Sequence, residues 1–190
     1  HYKISKPFLL EGLPIYIDKP LALNLKNAQR ILKLQKYEGQ IFSCSALKYA
    51  NEFLLKDSDK KIIGDIASIE GYAPNSWEKY SIHVIEPIIN MIPARGKILN
   101  IDKIINKDKT KLIINFENVK VSVSTLGEKK INPNIIVNGK NGKLKLVFNN
   151  PFDAFKTALN KFIYSIKAKE PILDQNNILD IINIIELGIL

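Results

Sequence analysis

The run Leu13-Pro14-Ile15-Tyr16-Ile17-Asp18-Lys19-Pro20 sets how the rest of the chain is read. Its first five residues form a short apolar stretch bounded by turn residues, the pattern of a buried strand. Upstream, Tyr2 to Glu11 carries apolar residues at helical spacing and closes at Gly12, a good C-cap, with Pro7 expected near the first turn. A helix, a short loop and a buried strand make the tail of a parallel α/β unit. The strand ends at Asp18-Lys19-Pro20, and ligands bind at the C-terminal ends of strands in such units. A lysine there can donate a hydrogen bond, supply charge, or carry a proton if its pKa is lowered. By composition alone the same Lys-Pro pair reads more readily as a surface turn, with Pro20 fixing the chain direction.

Downstream, Asn24 caps a helix predicted to reach Tyr37, with Leu25, Ala28, Ile31 and Leu32 on its apolar stripe. Gln40 to Cys44 reads as a short strand, and Ser45 as the cap of a helix to about Leu55. Lys61 to Tyr72 reads as strand. Trp77 to Ile92 is helical, closed by Pro93 and Gly96. A meander follows, with strands at Ile98–Ile105, Lys111–Phe116, Val119–Thr125, Asn134–Val137 and Gly142–Phe148. Alternation in Val119 to Ser124 and the Asn138-Gly139-Lys140-Asn141-Gly142 turn support it. Pro151 starts a helix to about Lys167, and Asp174 caps a last one to about Leu187. The expected class is α+β: an open, mainly antiparallel sheet backed by helices, preceded by the last helix-strand unit of a parallel fold.

Composition narrows the function classes. The balance of 46% hydrophobic and 25% charged residues is that of an ordinary globular protein. A single cysteine, Cys44, excludes an internal disulfide and points to a reducing, cytoplasmic setting. No apolar run is long enough for a bilayer span, so no membrane partner is expected. The net charge of +9 raises nucleic acid as a partner. The lysines are dispersed, however, and arginine occurs only at Arg30 and Arg95, so a solvated basic surface is the expected reading.

Chemistry concentrates in Trp77-Glu78-Lys79-Tyr80-Ser81-Ile82-His83-Val84-Ile85-Glu86. Tyr80, His83 and Glu86 lie three apart and share a helix face. An imidazole beside a phenol and a carboxylate suits proton transfer. A surface histidine paired with Glu86 fits the spacing as well. Trp77, Tyr80 and Tyr72 could wall a sugar site, although core packing is the commoner fate of such aromatics. Cys44 reads as buried and inert. His83 and Glu86 supply two ligands and no further His or Cys pair, so no metal site is expected.

Together these segments resemble the Gfo/Idh/MocA family of oxidoreductases. Leu10-Glu11-Gly12-Leu13-Pro14-Ile15-Tyr16-Ile17-Asp18-Lys19-Pro20-Leu21-Ala22 is similar to the passage that closes the family's Rossmann domain, with Asp18 where Glu is usual. Ser45-Ala46-Leu47-Lys48-Tyr49-Ala50 resembles a second segment, with Lys48 in place of Arg. Tyr80 to Glu86 resembles the histidine helix of one branch. The resemblance implies residues 1–22 as a Rossmann remnant and 23–190 as a substrate-binding and oligomerisation domain. It also implies NAD or NADP as cofactor and a sugar- or polyol-like substrate, with a homo-oligomer formed through the open sheet face. Lys19 and Pro20 would meet the nicotinamide, His83 would be the acid/base, and Lys48, Trp77 and Tyr72 would meet substrate. Many members carry an Asp four residues before the histidine. Lys79 stands there, which leaves Tyr80 as the expected proton donor or orienter. No G-x-G-x-x-G turn occurs in these residues. The chain is therefore read as a fragment whose nucleotide site lies mostly elsewhere, inactive by itself. A non-catalytic scaffold of the same fold is the alternative.

Overall fold

A computed structural model describes residues 1–190. Helix α1 (Tyr2–Leu10) holds Pro7 in its interior, beyond the expected first turn. It ends where Gly12 takes φ +81°, and the N–H groups of Gly12 and Leu13 donate to the carbonyls of Leu9 and Phe8. That left-handed turn is open to glycine without strain. Strand β1 (Ile15–Tyr16) follows, then α2 (Leu25–Leu32), whose cap Asn24 accepts from the Asn27 N–H at 2.9 Å. Strand β2 (Ile41–Phe42) pairs parallel with β1. The parallel unit thus reaches from the first helix across to residue 42.

α2 stops at Leu32, short of the expected Tyr37. Gln40, fully buried, explains the stop. Its side chain accepts from the Lys36 N–H and donates to the Leu9 and Leu13 carbonyls, which ties the segment to the α1–β1 turn. Ser45 opens two 3-10 turns, Ala46–Tyr49 and Asn51–Phe53, in place of the expected helix. Residues from Lys61 were expected in a strand. Lys61 to Ile63 complete instead helix α3 (Asp57–Ile63), which breaks at Gly64 (φ +68°), and the expected strand begins only at Ile66, as β3 (Ile66–Ala73).

Trp77 to Met91 forms two helices, α4 (Trp77–Tyr80) and α5 (Ile82–Met91). The meander is present as β4 (Ile98–Asn106), β5 (Lys109–Phe116), β6 (Lys120–Leu126), β7 (Asn134–Gly139) and β8 (Lys143–Val147). Helices α6 (Pro151–Ala168) and α7 (Gln175–Ile189) close the chain, capped by Asn150 and Asp174.

The six-stranded sheet runs β4-β5-β6-β3-β7-β8. It is open and mixed: β3–β6 is parallel, the other neighbours antiparallel. This is the expected α+β class. Strand alternation puts Ile69, Leu112, Val121 and Ile135 in the core under α5 and α7. Gly71 lets Val84 and Ile88 of α5 sit directly on the sheet. No helix is long and apolar enough to cross a membrane.

Candidate active site

A cleft of about 1100 Å³ opens at the C-terminal end of β1. The start of α1, the loop Asp18–Leu23, the first turns of α2, and Glu78, Lys79, Tyr80 and His83 line it. Lys19 and His83, 64 positions apart in sequence, therefore face one space. The Lys19 ammonium donates to the Lys79 carbonyl at 3.0 Å and lies 5.8 Å from the Tyr80 ring centroid. The Tyr80 ring meets the His83 ring edge-on at 5.7 Å. Pro20 follows a cis peptide bond and lines the cleft as well. Partial burial lowers the Lys19 pKa, with the nearby Asp18 carboxylate opposing.

His83 is held from behind. Its Nδ1 lies 2.8 Å from Ser45 Oγ. Ser45 is in turn fixed by its own N–H, which donates to Glu86 Oε2 at 2.6 Å, and by the Leu47 N–H, which donates to its Oγ at 3.2 Å. Glu86 Oε1 takes the Lys48 ammonium at 3.8 Å. Burial pushes Glu86 up to about 7, outweighing Lys48 and the Ser45 N–H. Burial first, and the Lys19 cation second, push His83 down to about 3, so the imidazole is neutral at physiological pH. Behind this layer, burial also raises the Cys44 thiol and the phenols of Tyr16 and Tyr49. Cys44 is buried, in line with its sequence reading.

Four expectations change. Tyr80 does not orient His83 by a hydrogen bond; Ser45 does, because the 3-10 turn brings its hydroxyl under the imidazole. Trp77 is buried, and its indole N–H donates to the Ile185 carbonyl at 2.9 Å, so it packs the core and walls no sugar site. Tyr72 stands on the open sheet face, where its hydroxyl donates to Glu70 at 2.6 Å, because β3 alternation turns it away from the helices. Lys48 contacts Glu86 and lies outside the cleft lining. Glu86 shares the predicted helix, yet reaches His83 only through Ser45. The role of Ser45 depends on a partner 38 residues away, and no local spacing announces it.

No protein-family model matches the chain, and no curated protein matches it. Solved structures do. The chain is similar to myo-inositol 2-dehydrogenase from Lactobacillus plantarum (15% identity, 98% of this chain and 73% of that one, TM-score 0.76). It is similar to a Gfo/Idh/MocA family oxidoreductase from Vibrio cholerae (12% identity, 99% and 72%, TM-score 0.68). It is also similar to biliverdin reductase from Synechocystis, solved with biliverdin and NADP+ (13% identity, 100% and 75%, TM-score 0.72). The chain has the fold that these oxidoreductases share over the matched region, as the sequence resemblance implied.

Proposed function

We propose that the chain is the substrate side of an NAD(P)-dependent oxidoreductase of the Gfo/Idh/MocA type, acting on a sugar, polyol or related hydroxy compound. The observation that carries this reading is the convergence of Lys19, Tyr80 and His83 on one cleft at the end of a parallel strand. A scaffold that had lost its chemistry has no need of a desolvated lysine beside a neutral, hydrogen-bonded imidazole. The shared fold with dehydrogenases supports the reaction class, and the NADP+-bound biliverdin reductase supports a nicotinamide cofactor.

Bound nicotinamide supplies the hydride chemistry. Lys19 and Pro20 fit its reactive end, since the ammonium has one protein acceptor and keeps donors free for the cleft. The residues 1–190 hold no Gly-rich turn, so the pyrophosphate is assigned to residues outside them. The unit that binds it adds to the β1–β2 pair. Two strands of two residues each are too short to stand as a sheet. Beside them α6 exposes Phe152, Phe155, Leu159 and Ile163, next to Phe162, which packs on Tyr16 and Phe42. In this reading residues 1–22 belong to the nucleotide-binding unit, β2 joins its sheet through β1, and the rest of 23–190 forms the substrate and oligomerisation domain. The open sheet face is the homo-oligomer surface, and Tyr72 serves there.

The test is hydride transfer by the full reading frame against a panel of polyols, sugars and their keto forms, with NAD and NADP. Lys19→Ala and His83→Ala are each expected to lower kcat/KM by on the order of a hundredfold or more. Unchanged turnover in both variants would sink the assignment.

A further inference from the structure

The bonds around Ser45 leave its hydroxyl proton one place to go. Ser45 is fully buried. Its N–H is spent on Glu86 Oε2, and its Oγ already accepts the Leu47 N–H. The remaining partner of Oγ is His83 Nδ1 at 2.8 Å. A serine hydroxyl carries one proton, and a ring nitrogen without hydrogen accepts it. The reverse sense, with an Nδ1–H donating into Oγ, would strand the hydroxyl proton in the interior without an acceptor, a state that folded proteins avoid. Nε2 is left as the ring nitrogen available to the cleft.

We propose that Ser45 holds His83 as the Nε2–H tautomer, so that the ring gives the cleft a neutral hydrogen-bond donor, and that Lys19 carries the proton exchanged with the substrate oxygen. The role of Lys19 rests on the oxidoreductase reading; the tautomer does not. A neutral imidazole bonded to a serine cannot give up its Nε2 proton outright, because an imidazolate or a serine alkoxide would result. It polarises a carbonyl oxygen and keeps its hydrogen. The groups around the ring agree with this. Lys19 stands by it from the loop after β1, Tyr80 touches it from α4, and Glu86 reaches it only through Ser45, with Lys48 beyond. No carboxylate contacts Nδ1 to stabilise an imidazolium.

Lys19 has one protein acceptor, the Lys79 carbonyl, and partial burial makes its proton easier to release. In the reducing direction bound nicotinamide would supply the hydride that the carbonyl carbon needs. The C–O π pair takes a proton from Lys19 Nζ, which is left as a neutral amine and recovers its proton from water in the open cleft. In the oxidising direction the neutral amine takes the alcohol proton, and the bound oxidised cofactor would accept the hydride. His83 donates to the oxygen throughout.

Long-range proton–nitrogen NMR on the chain labelled with ¹⁵N-histidine tests the first half. There are two histidines, and His83→Gln assigns them. The expected His83 pattern is a bare Nδ1 and a protonated Nε2, kept well below pH 6. Ser45→Ala is expected to shift the tautomer ratio, and Ser45→Thr to restore it. A wild-type ring protonated at Nδ1, or a tautomer unmoved in a folded Ser45→Ala, overturns the proposal. Should Ser45→Ala not fold, the wild-type spectrum decides. The second half is read in pH profiles of the full-length enzyme. His83→Gln keeps an N–H donor, so it is expected to lose less than about tenfold in kcat and to keep the wild-type pH limb. Lys19→Met is expected to lose on the order of a hundredfold together with that limb. Loss of the limb in His83→Gln and its survival in Lys19→Met would overturn the role of Lys19. A full-length protein without hydride-transfer activity would overturn that role along with the oxidoreductase reading, leaving the tautomer to the NMR result.

Discussion

His83 and Glu86 sit one helical turn apart, joined through Ser45, and burial moves them in opposite directions. Glu86 rises from an ordinary 4.5 to about 7, so its favourable contribution to stability is complete below pH 4.5 and is lost as pH climbs to about 7. His83 falls from an ordinary 6.5 to about 3, so its contribution is complete above pH 6.5 and is lost as pH drops toward 3. Each full proton difference between folded and unfolded chains changes stability by about 1.4 kcal/mol per pH unit. Between pH 4.5 and 6.5 the two slopes oppose each other. Denaturant titrations of the wild type are therefore expected to show little dependence on these two groups in that window. Glu86→Gln should unmask a stability that rises with pH, and His83→Gln one that falls with pH. Two variants with the same slope would show that the pair does not titrate this way. The same residues mark a limit of the sequence. The spacing of Tyr80, His83 and Glu86 correctly put a histidine and a carboxylate on one side of a helix. It could not supply Ser45, because a hydroxyl 38 residues away enters only through the turn after β2.

Elements were legible in proportion to how local their causes are. Caps are set by neighbouring residues, and Asn24 and Asp174 cap the helices they were expected to cap. Strand alternation in Lys109–Phe116 and Lys120–Leu126 reflects one buried face, and it survived into the sheet. Lys61 to Ile63 misled because an apolar pair beside lysines suits a strand or the last turn of a helix, and Gly64 decided for the helix. The fate of Trp77 was settled by an element more than a hundred residues later. In α7, Gly188 leaves room for the indole: a Cβ there would collide with the Trp77 ring, whose N–H is held by the Ile185 carbonyl. Gly188→Ala is expected to cost about 1–3 kcal/mol by overpacking, despite the better helix propensity of alanine. Thermal unfolding measures it. A variant as stable as the wild type would mean that α7 can slide away from α4 at no cost.

At the scale of the whole molecule the six-stranded sheet has one face under helices and one bare. Registers place Lys109, Lys111, Lys120, Lys143 and Lys145 on the bare face, with Glu70 and Asp102 as its acids. Glu70 is already engaged by the Tyr72 hydroxyl and Asn138, and the nearby Lys111 and Lys143 help hold its pKa down. A two-fold interface sets such a face against itself. Cations then meet cations, since five lysines outnumber two carboxylates. That repulsion reaches about 30 Å at 0.01 M salt and about 8 Å at 0.15 M. Self-association through this face is therefore expected to tighten as salt is raised over that range, the reverse of an ion-paired interface. Sedimentation of the wild type across the series, together with Lys111→Glu and Lys145→Glu, reads it directly. Both substitutions should strengthen that association at low salt and flatten its salt dependence. A dimer that loosens with salt, or that ignores both substitutions, would put the interface on another surface of the molecule.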